Sequence, residues 1–432
     1  MSSHSVLPRA GAALLALALA AGALAAPPEL TLAEAQRLAL QRSRQLAGAD
    51  LAADAARQLA VAAGQLPDPV LKAGIDNLPV SGADRFSTGA DFMTMRRLGV
   101  AQELTGANKR RLRASVYTLE ADRSVAAKAV AAAAIERDTA LAWLDYYFAC
   151  QSAELIAEQE VQAGNVVEAA AGAYRAGRGS QADWLAARAA LVTVQDHASE
   201  NARLVRNAAT MLTRWTGIAT APALAAPPAM DAIELDSATL QSQLAHHPDI
   251  AVLERQEQIA QAAVTLAEAD RKPDWSVELA FQQRGPAYSN MVSLGLSLPL
   301  QWDRKDRQDR TLAARVSQAG QARAEREEML RAHVADTEAL IAEWQNGRER
   351  VARYEHELLP LAHERSAAAA AAYRGGKASL AELLAARSGE LDVRLQTLRL
   401  QTDTARLWAR LNFLFPSELA NLHATTAHQE SP

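Results

Sequence analysis

The chain of 432 residues carries a formal net charge of -5, which gives no support to nucleic-acid binding. Its one cysteine, Cys150, excludes an internal disulfide. Glycine, proline and aromatic residues are sparse while Ala, Leu, Gln, Glu and Arg abound, which is the composition of long helices.

From its start, the apolar run Leu14 to Leu24 lies behind Arg9, and Ala23-Leu24-Ala25 offers a small-x-small cleavage site. Residues 1–25 therefore read as a secretory signal peptide. Pro8 and Pro27 bracket the run too tightly for a membrane-spanning helix of about 18 or more apolar residues. The mature protein is then expected outside the cytoplasm. Cys150 lies deep in a helical pattern rather than just after the signal, which argues against a lipid-anchored N-terminus.

Residues 26–217 form a first repeat. Thr31-Leu32-Ala33-Glu34 is a capping box with Leu30 ahead of it as a staple, and it opens a helix expected to reach about Gln65, where Leu66-Pro67-Asp68-Pro69 stops it. Residues 70–104 read as a hairpin of two strands: Leu71, Ala73 and Ile75 alternate with Lys72, Gly74 and Asp76, and Pro79 and Ser81 mark a loop. A helical pattern then runs from Leu104 to about Ala176, roughly 70 residues or about 105 Å. No ordinary core needs a helix that long. Its Ala-rich part, Val125 to Ile135, lets neighbouring helices approach closely, or serves helix propensity alone. The return helix, Ser180 to about Trp215, is half as long, as is the opening helix, and the two laid end to end match the long one.

The bend between long and return helices is the organising motif, and it occurs twice. Ala173 to Arg188 returns as Ala372 to Arg387 with ten of sixteen letters unchanged. In each copy a glycine, Gly177 or Gly376, suits the left-handed position past a helix end. A serine cap follows, Ser180 or Ser379, with Asp183 or Glu382 three residues on to complete a capping box. The chain is an internal duplication.

An Ala- and Pro-rich linker, 218–236, leads to a second repeat, 237–415. A helix is expected from His247-Pro248-Asp249 to Asp270, then strands over 274–300, a second long helix from about Asp303 to Gly375, and a return helix from Ser379 to about Phe415 striped with Leu391, Leu395, Leu398, Leu400, Leu407, Leu411 and Leu414. The bends fall at 177–180 and 376–379. Residues 416–432 read as a loose tail.

In the second strand pair, Trp275, Val277, Leu279 and Phe281 alternate with polar residues, as do Val292, Leu294, Leu296, Leu298 and Leu300. Strands of about ten residues cross an outer membrane when tilted. A helical chain offers no second sheet to cover their apolar face, so lipid is the expected cover. Four strands cannot close a barrel and open edges are not tolerated in lipid, so identical chains must share one. Trp275, Trp302 and Tyr288 suit membrane interfaces, or are ordinary strand aromatics. The clusters Lys109-Arg110-Arg111-Leu112-Arg113 and Arg304-Lys305-Asp306-Arg307 read either as headgroup contacts or as solvated helix starts.

Together these features resemble the TolC-like outer-membrane efflux family, the trimeric channel-tunnels of tripartite export systems. The matching residues are Leu30 to Ala35, Ala63-Gly64-Gln65-Leu66-Pro67-Asp68-Pro69 and the two Tyr-Arg-x-Gly-x-x-Ser-x-x-Asp/Glu bends, over about 29–415. Gly74 to Pro79 with Phe92 to Arg97 look most like the heavy-metal branch, although a lipidated cysteine found in many such members is absent. The resemblance implies a mainly α fold with a small β part: duplicated helical hairpins forming a periplasmic α-barrel tunnel, and four strands per chain in a shared transmembrane β-barrel. It implies a homotrimer in the outer membrane, with most of the chain in the periplasm, and as partners a periplasmic adaptor and an inner-membrane pump.

By the same resemblance, Glu382, with Asp183 as its first-repeat equivalent, would ring the tunnel mouth as a gate; capping is the competing role. The second acidic position of some members is Ala385 here. The tips Gly177, Arg178, Gly179, Ser180, Gly376, Lys377, Ala378 and Ser379 are the expected adaptor-docking surface, because both copies keep a cation, Arg178 or Lys377, that hairpin geometry does not require. Met93 and Met95 are thioethers suited to Cu(I), but two residues apart on a strand they read first as packing or pore lining. His246-His247 before Pro248 reads as capping. No cofactor is expected, and no nucleophile–base pairing or zinc spacing supports an enzyme. The function expected is a passive exit duct, for heavy-metal cations or, alternatively, for drug efflux or type I secretion. A periplasmic coiled-coil scaffold without a pore is the alternative of a different class.

Overall fold

Two helical units, each interrupted by a pair of strands, follow one another in the computed structural model, which describes residues 29–219, 222–236 and 238–417. The signal segment 1–25 and residues 418–432 of the tail lie outside the described residues. The order is α1 (Leu32–Arg42), α2 (Arg44–Ala63), β1 (Val70–Asp76), β2 (Met95–Leu104), α3 (Ala107–Arg175) and α4 (Gln181–Thr216), then α5 (Leu240–Leu244), α6 (Pro248–Ala269), β3 (Trp275–Gln283), β4 (Met291–Ser297), α7 (Gln308–Arg353), α8 (Leu359–Arg374) and α9 (Leu380–Asn412). Helix α3 is unbroken over 69 residues, about 104 Å at the usual rise per residue. Helices α2 and α4 both pack along it, and α6 and α9 pack along α7 in the same manner.

Four expectations about element limits are revised. The opening helix breaks at Ser43, which is extended (φ -65°, ψ 115°) and serves as the C-cap of α1 and the N-cap of α2, its hydroxyl accepting from the Leu46 amide at 3.2 Å. One residue thus ends one helix with its backbone N–H, which donates to the Leu40 carbonyl, and starts the next with its side chain. The second long helix starts at Gln308 and is divided by a π-helical turn, Tyr354–Leu358, just before Pro360. Proline has no N–H and its ring crowds the carbonyl four residues back, so the wider turn relieves the clash. Strand β4 ends at Ser297 rather than Leu300, since Pro299 cannot extend the ladder. The linker is followed by the short helix α5, which precedes α6 as α1 precedes α2.

The main core lies at mid-height, where α1, α3, α4, α5, α7 and α9 meet. Trp143, Leu144, Leu212, Leu240, Leu244, Ile341, Trp344, Trp408 and Leu411 are buried there. Two indoles tie the linking segments down: Trp143 Nε1 donates to the Leu30 carbonyl at 3.0 Å, and Trp408 Nε1 to the Ala232 carbonyl at 3.1 Å. Leu30 also pairs with Leu224 in a parallel bridge. The linker is therefore a belt across the helices.

Helix α7 approaches α9 closely at Gly347, where an added Cβ would lie 2.6 Å from Thr404 Oγ1. Gly347→Val is expected to push the helices apart and cost about 1 to 3 kcal/mol, the usual range for overpacking. A chemical denaturation midpoint equal to that of the parent would contradict this close approach.

Candidate functional site: the strand sheet and the helical tips

Strands β1 to β4 form one antiparallel sheet in that order, so the two hairpins join through β2 and β3. The register aligns two apolar rows across it, Leu71–Val100–Leu279–Leu294 and Ala73–Leu98–Phe281–Val292. This face is bare: Leu294 is 77% exposed and Leu71 68%. An exposed apolar surface spanning four strands requires a non-aqueous or protein cover.

The opposite face is polar and narrow. Lys72 Nζ pairs with Glu278 at 2.8 Å, Arg97 pairs with the other oxygen of Glu278, and Asp76 stands 3.7 Å from Arg97. Small residues crowd its middle. Ala280 is buried, and a Cβ on Gly99 would meet the Ala280 Cβ at 2.8 Å. Crowding on the polar side and exposure on the apolar side describe a sheet curled with its polar face inward, the wall of a barrel whose lipid face is outward. Aromatic residues stand at both ends: Trp275 and Trp302 where strands meet helices, and Phe92 and Tyr288 in edge contact (centroids 6.5 Å) at the distal loops. Met93 and Met95 also lie at the distal end; the Met93 amide donates to Asp91 Oδ1 at 2.7 Å, and Met95 begins β2.

At the other extreme, the two bends lie side by side. Val166 and Ala170 of α3, Ala187 of α4, and Leu380 and Leu383 of α9 form one apolar cluster. Both helices end alike. Gly177 (φ 69°) and Gly376 (φ 68°) are left-handed; Arg178 N donates to the Ala173 carbonyl at 2.9 Å and Lys377 N to Ala372 at 2.8 Å, with Gly177 N to Tyr174 and Gly376 N to Tyr373 at 3.0 Å. These are Schellman closures. The return helices then start alike: Ser180 Oγ accepts from Asp183 N at 3.0 Å and the Asp183 carboxylate accepts from Ser180 N at 3.2 Å, while Ser379 and Glu382 exchange bonds of 3.2 and 2.8 Å. The Ser180 hydroxyl holds the Asp183 carboxyl below its ordinary range. Both carboxylates are thus engaged as caps, which leaves the peptide tips with Arg178 and Lys377 exposed.

Residues 239–415 match the family model "Outer membrane efflux protein". The first repeat is built on the same plan, and the whole described fold has solved counterparts. The outer membrane protein VceC from Vibrio cholerae superposes with a TM-score of 0.72 at 18% identity, covering 89% of this chain and 95% of that one. The outer-membrane channel OprN gives 0.73 at 18%, covering 89% and 90%, and CusC, a transmembrane channel by its description, gives 0.73 at 15%, covering 89% and 92%. A search among curated proteins gave no match. Residues 239–415 therefore match the outer-membrane efflux protein family, and the described chain as a whole shares the fold of these channel proteins.

The matched family and the shared fold assign the strands to the outer membrane and most of the chain's length, the helices, to the periplasm. No helix among the described residues is long and apolar enough to cross a membrane. The basic cluster after β2 is divided in use. Lys109 is buried, hydrogen-bonded to the Lys272 carbonyl and paired with Asp274 Oδ2 at 3.0 Å, and Arg110 donates to the Gly64 carbonyl at 3.2 Å. Lys109 therefore clamps the first repeat to the second, and Arg110 ties the start of α3 to the end of α2 within the first, instead of both facing headgroups or bulk water; Arg111 remains exposed. The Lys109–Asp274 pair and the Lys72–Arg97–Glu278 network were not legible from the sequence as sites. Their only signal was a charged residue inside an otherwise regular pattern at corresponding places in the two repeats.

Proposed function

We propose that three copies of this chain close one twelve-stranded barrel and one helical tunnel, and act as the passive exit duct of a tripartite efflux system. The observation that carries this reading is the four-stranded sheet with a bare apolar face and two unpaired outer edges, β1 and β4: lipid tolerates no open edge, so the sheet must continue in other copies. The helices support it, since Leu51, Val161, Val192 and Leu361 remain exposed along their length and call for neighbouring helices. In this reading residues 1–25 direct export, 26–217 and 237–415 are the two repeats, 218–236 join them, and 416–432 are a tail. A conduit needs no catalytic residues, and the driving energy comes from an inner-membrane pump reached through a periplasmic adaptor. Heavy-metal cations are the substrate class carried forward from the resemblance of residues 74–79 and 92–97.

Single-channel recording of the purified protein in a planar bilayer tests the duct against a pore-free scaffold. Conductance steps, enlarged when Asp183 and Glu382 are neutralised to Asn and Gln, are expected if those caps also hold the tunnel mouth narrow as the gate. A protein that inserts and never conducts in either form overturns the duct.

The tips Gly177, Arg178, Gly179, Ser180, Gly376, Lys377, Ala378 and Ser379 are proposed as the adaptor-docking surface. The Schellman closures and serine caps account for the glycines and serines, but not for a cation in both copies. Arg178→Glu with Lys377→Glu is expected to leave assembly intact and to abolish adaptor cross-linking and export. Export at the parental level would place docking elsewhere.

A further inference from the structure

The geometry points to a divalent-cation site of the Zn2+ class, which nothing in the export reading requires, formed by His247, Asp249 and His333 where α6, α7 and the end of α9 meet. One ligand atom from each of the three lies within 4.8 Å of the others. His247 Nδ1 is 3.6 Å and His333 Nε2 3.8 Å from Asp249 Oδ2. Ligands about 2.0 to 2.1 Å from a tetrahedral zinc stand about 3.4 Å apart, so the two imidazole–carboxylate spacings are already within a few tenths of an ångström, and rotation of His333 by about an ångström draws in the remaining spacing, which is within 4.8 Å. Two imidazoles and one carboxylate suit a borderline cation better than Ca2+ or Mg2+, which take oxygen ligands.

The surroundings prepare the ligands. His247 is the N-cap of α6, and its Nδ1 accepts from the Asp249 amide at 3.2 Å, which places the ring proton on Nε2. The ring also interacts with the Leu414 backbone in a way that favours that N–H. A metal-bound imidazole that donates its other N–H to a carbonyl is the usual supporting arrangement. The position of His247 is fixed by ring contacts with His333 (centroids 4.7 Å) and Phe415 (5.5 Å). Asp249, its side chain 42% exposed, leaves an entry path from solvent. Arg137 opposes a cation at longer range, and a bound ion would displace the long Asp249 amide bond. The affinity expected is therefore moderate. The consequence is structural: an ion here fastens the start of α6 to the middle of α7 in the periplasmic part of the molecule.

Isothermal titration of Zn2+ alone into the detergent-solubilised full chain tests the site, with Co2+ absorption as a second readout. The parent is expected to bind one Zn2+ per chain at this site and to give visible Co2+ bands. His333→Ala and Asp249→Asn, which both leave the His247 cap in place, are expected to weaken binding tenfold or more and to remove the bands. His363→Ala, an exposed histidine on α8, is expected to change neither. Equal Zn2+ affinity in the parent and both site variants, or Co2+ bands that survive in either, overturns the proposal.

Discussion

Arginine in place of Leu294 is expected to prevent stable assembly in the outer membrane, whereas arginine in place of the adjacent Ser293 is expected to be tolerated. Leu294 is the central residue of β4, opposite Leu279 and 77% exposed on the apolar face. A charge there must reach water through lipid, at a cost of about 2 to 4 kcal/mol near the midplane of a barrel. Ser293 lies at the same depth on the other face, opposite Ala280, and accepts one long bond from Gln282 at 3.3 Å. Arginine there loses that weak contact and gains the neighbourhood of Glu278, already the acceptor for Lys72 and Arg97. Heat-modifiable migration of outer-membrane fractions, with folding into lipid vesicles against urea, measures both variants. Equal assembly would reject the assignment of faces, and a defect in Ser293→Arg alone would invert it.

The sheet and the bends were legible in the sequence because each rests on a local rule. Val277, Leu279 and Phe281 reveal a strand by period two, and Gly376, Ser379 and Glu382 reveal a helix stop and start within seven residues. Long-range partners leave no such trace. The pairing of β2 with β3 joins Leu98 to Phe281, and no pattern in either segment names the other. Lys109 looked like one member of a charge run facing headgroups or water because its partner Asp274 is distant in sequence. His333 sits within a charged helix and becomes notable only when folding sets it beside His247. The π turn is a different case. Pro360 inside a helical pattern was a visible signal of an interruption, but the strong flanking periodicity carried the helix reading past it. Ser43 gave less warning, since serine at an apolar stripe's edge is common and only its extended backbone makes it a cap.

Removing the Lys109 ammonium is expected to destabilise the protein by about 3 kcal/mol, the lower end of the range for breaking a buried pair. The side chain of Lys109 is 8% exposed and that of Asp274 17%, so water screens the pair little. Asp274 Oδ1 also accepts from the Gly106 amide at 3.2 Å, and the Lys272 carbonyl accepts from Lys109. The pair therefore holds the start of α3 against the segment entering β3, the joint at which strands give way to helices in both repeats. Lys109→Met keeps the stem but strands a carboxylate beside apolar matter. Asp274→Asn keeps the acceptor for Gly106 and removes the charge, leaving the ammonium with the Lys272 carbonyl and with Asp270 at 3.7 Å. The double variant has no unpaired charge, so its cost should fall well below the sum of the singles, with a coupling of about 1 to 3 kcal/mol as residues in one network show. Denaturation of the four proteins in detergent gives the cycle. A Lys109→Met cost below about 1 kcal/mol, with additive singles, would mean that the pair behaves as an exposed one and adds little to the joining of the repeats by the sheet and the shared core.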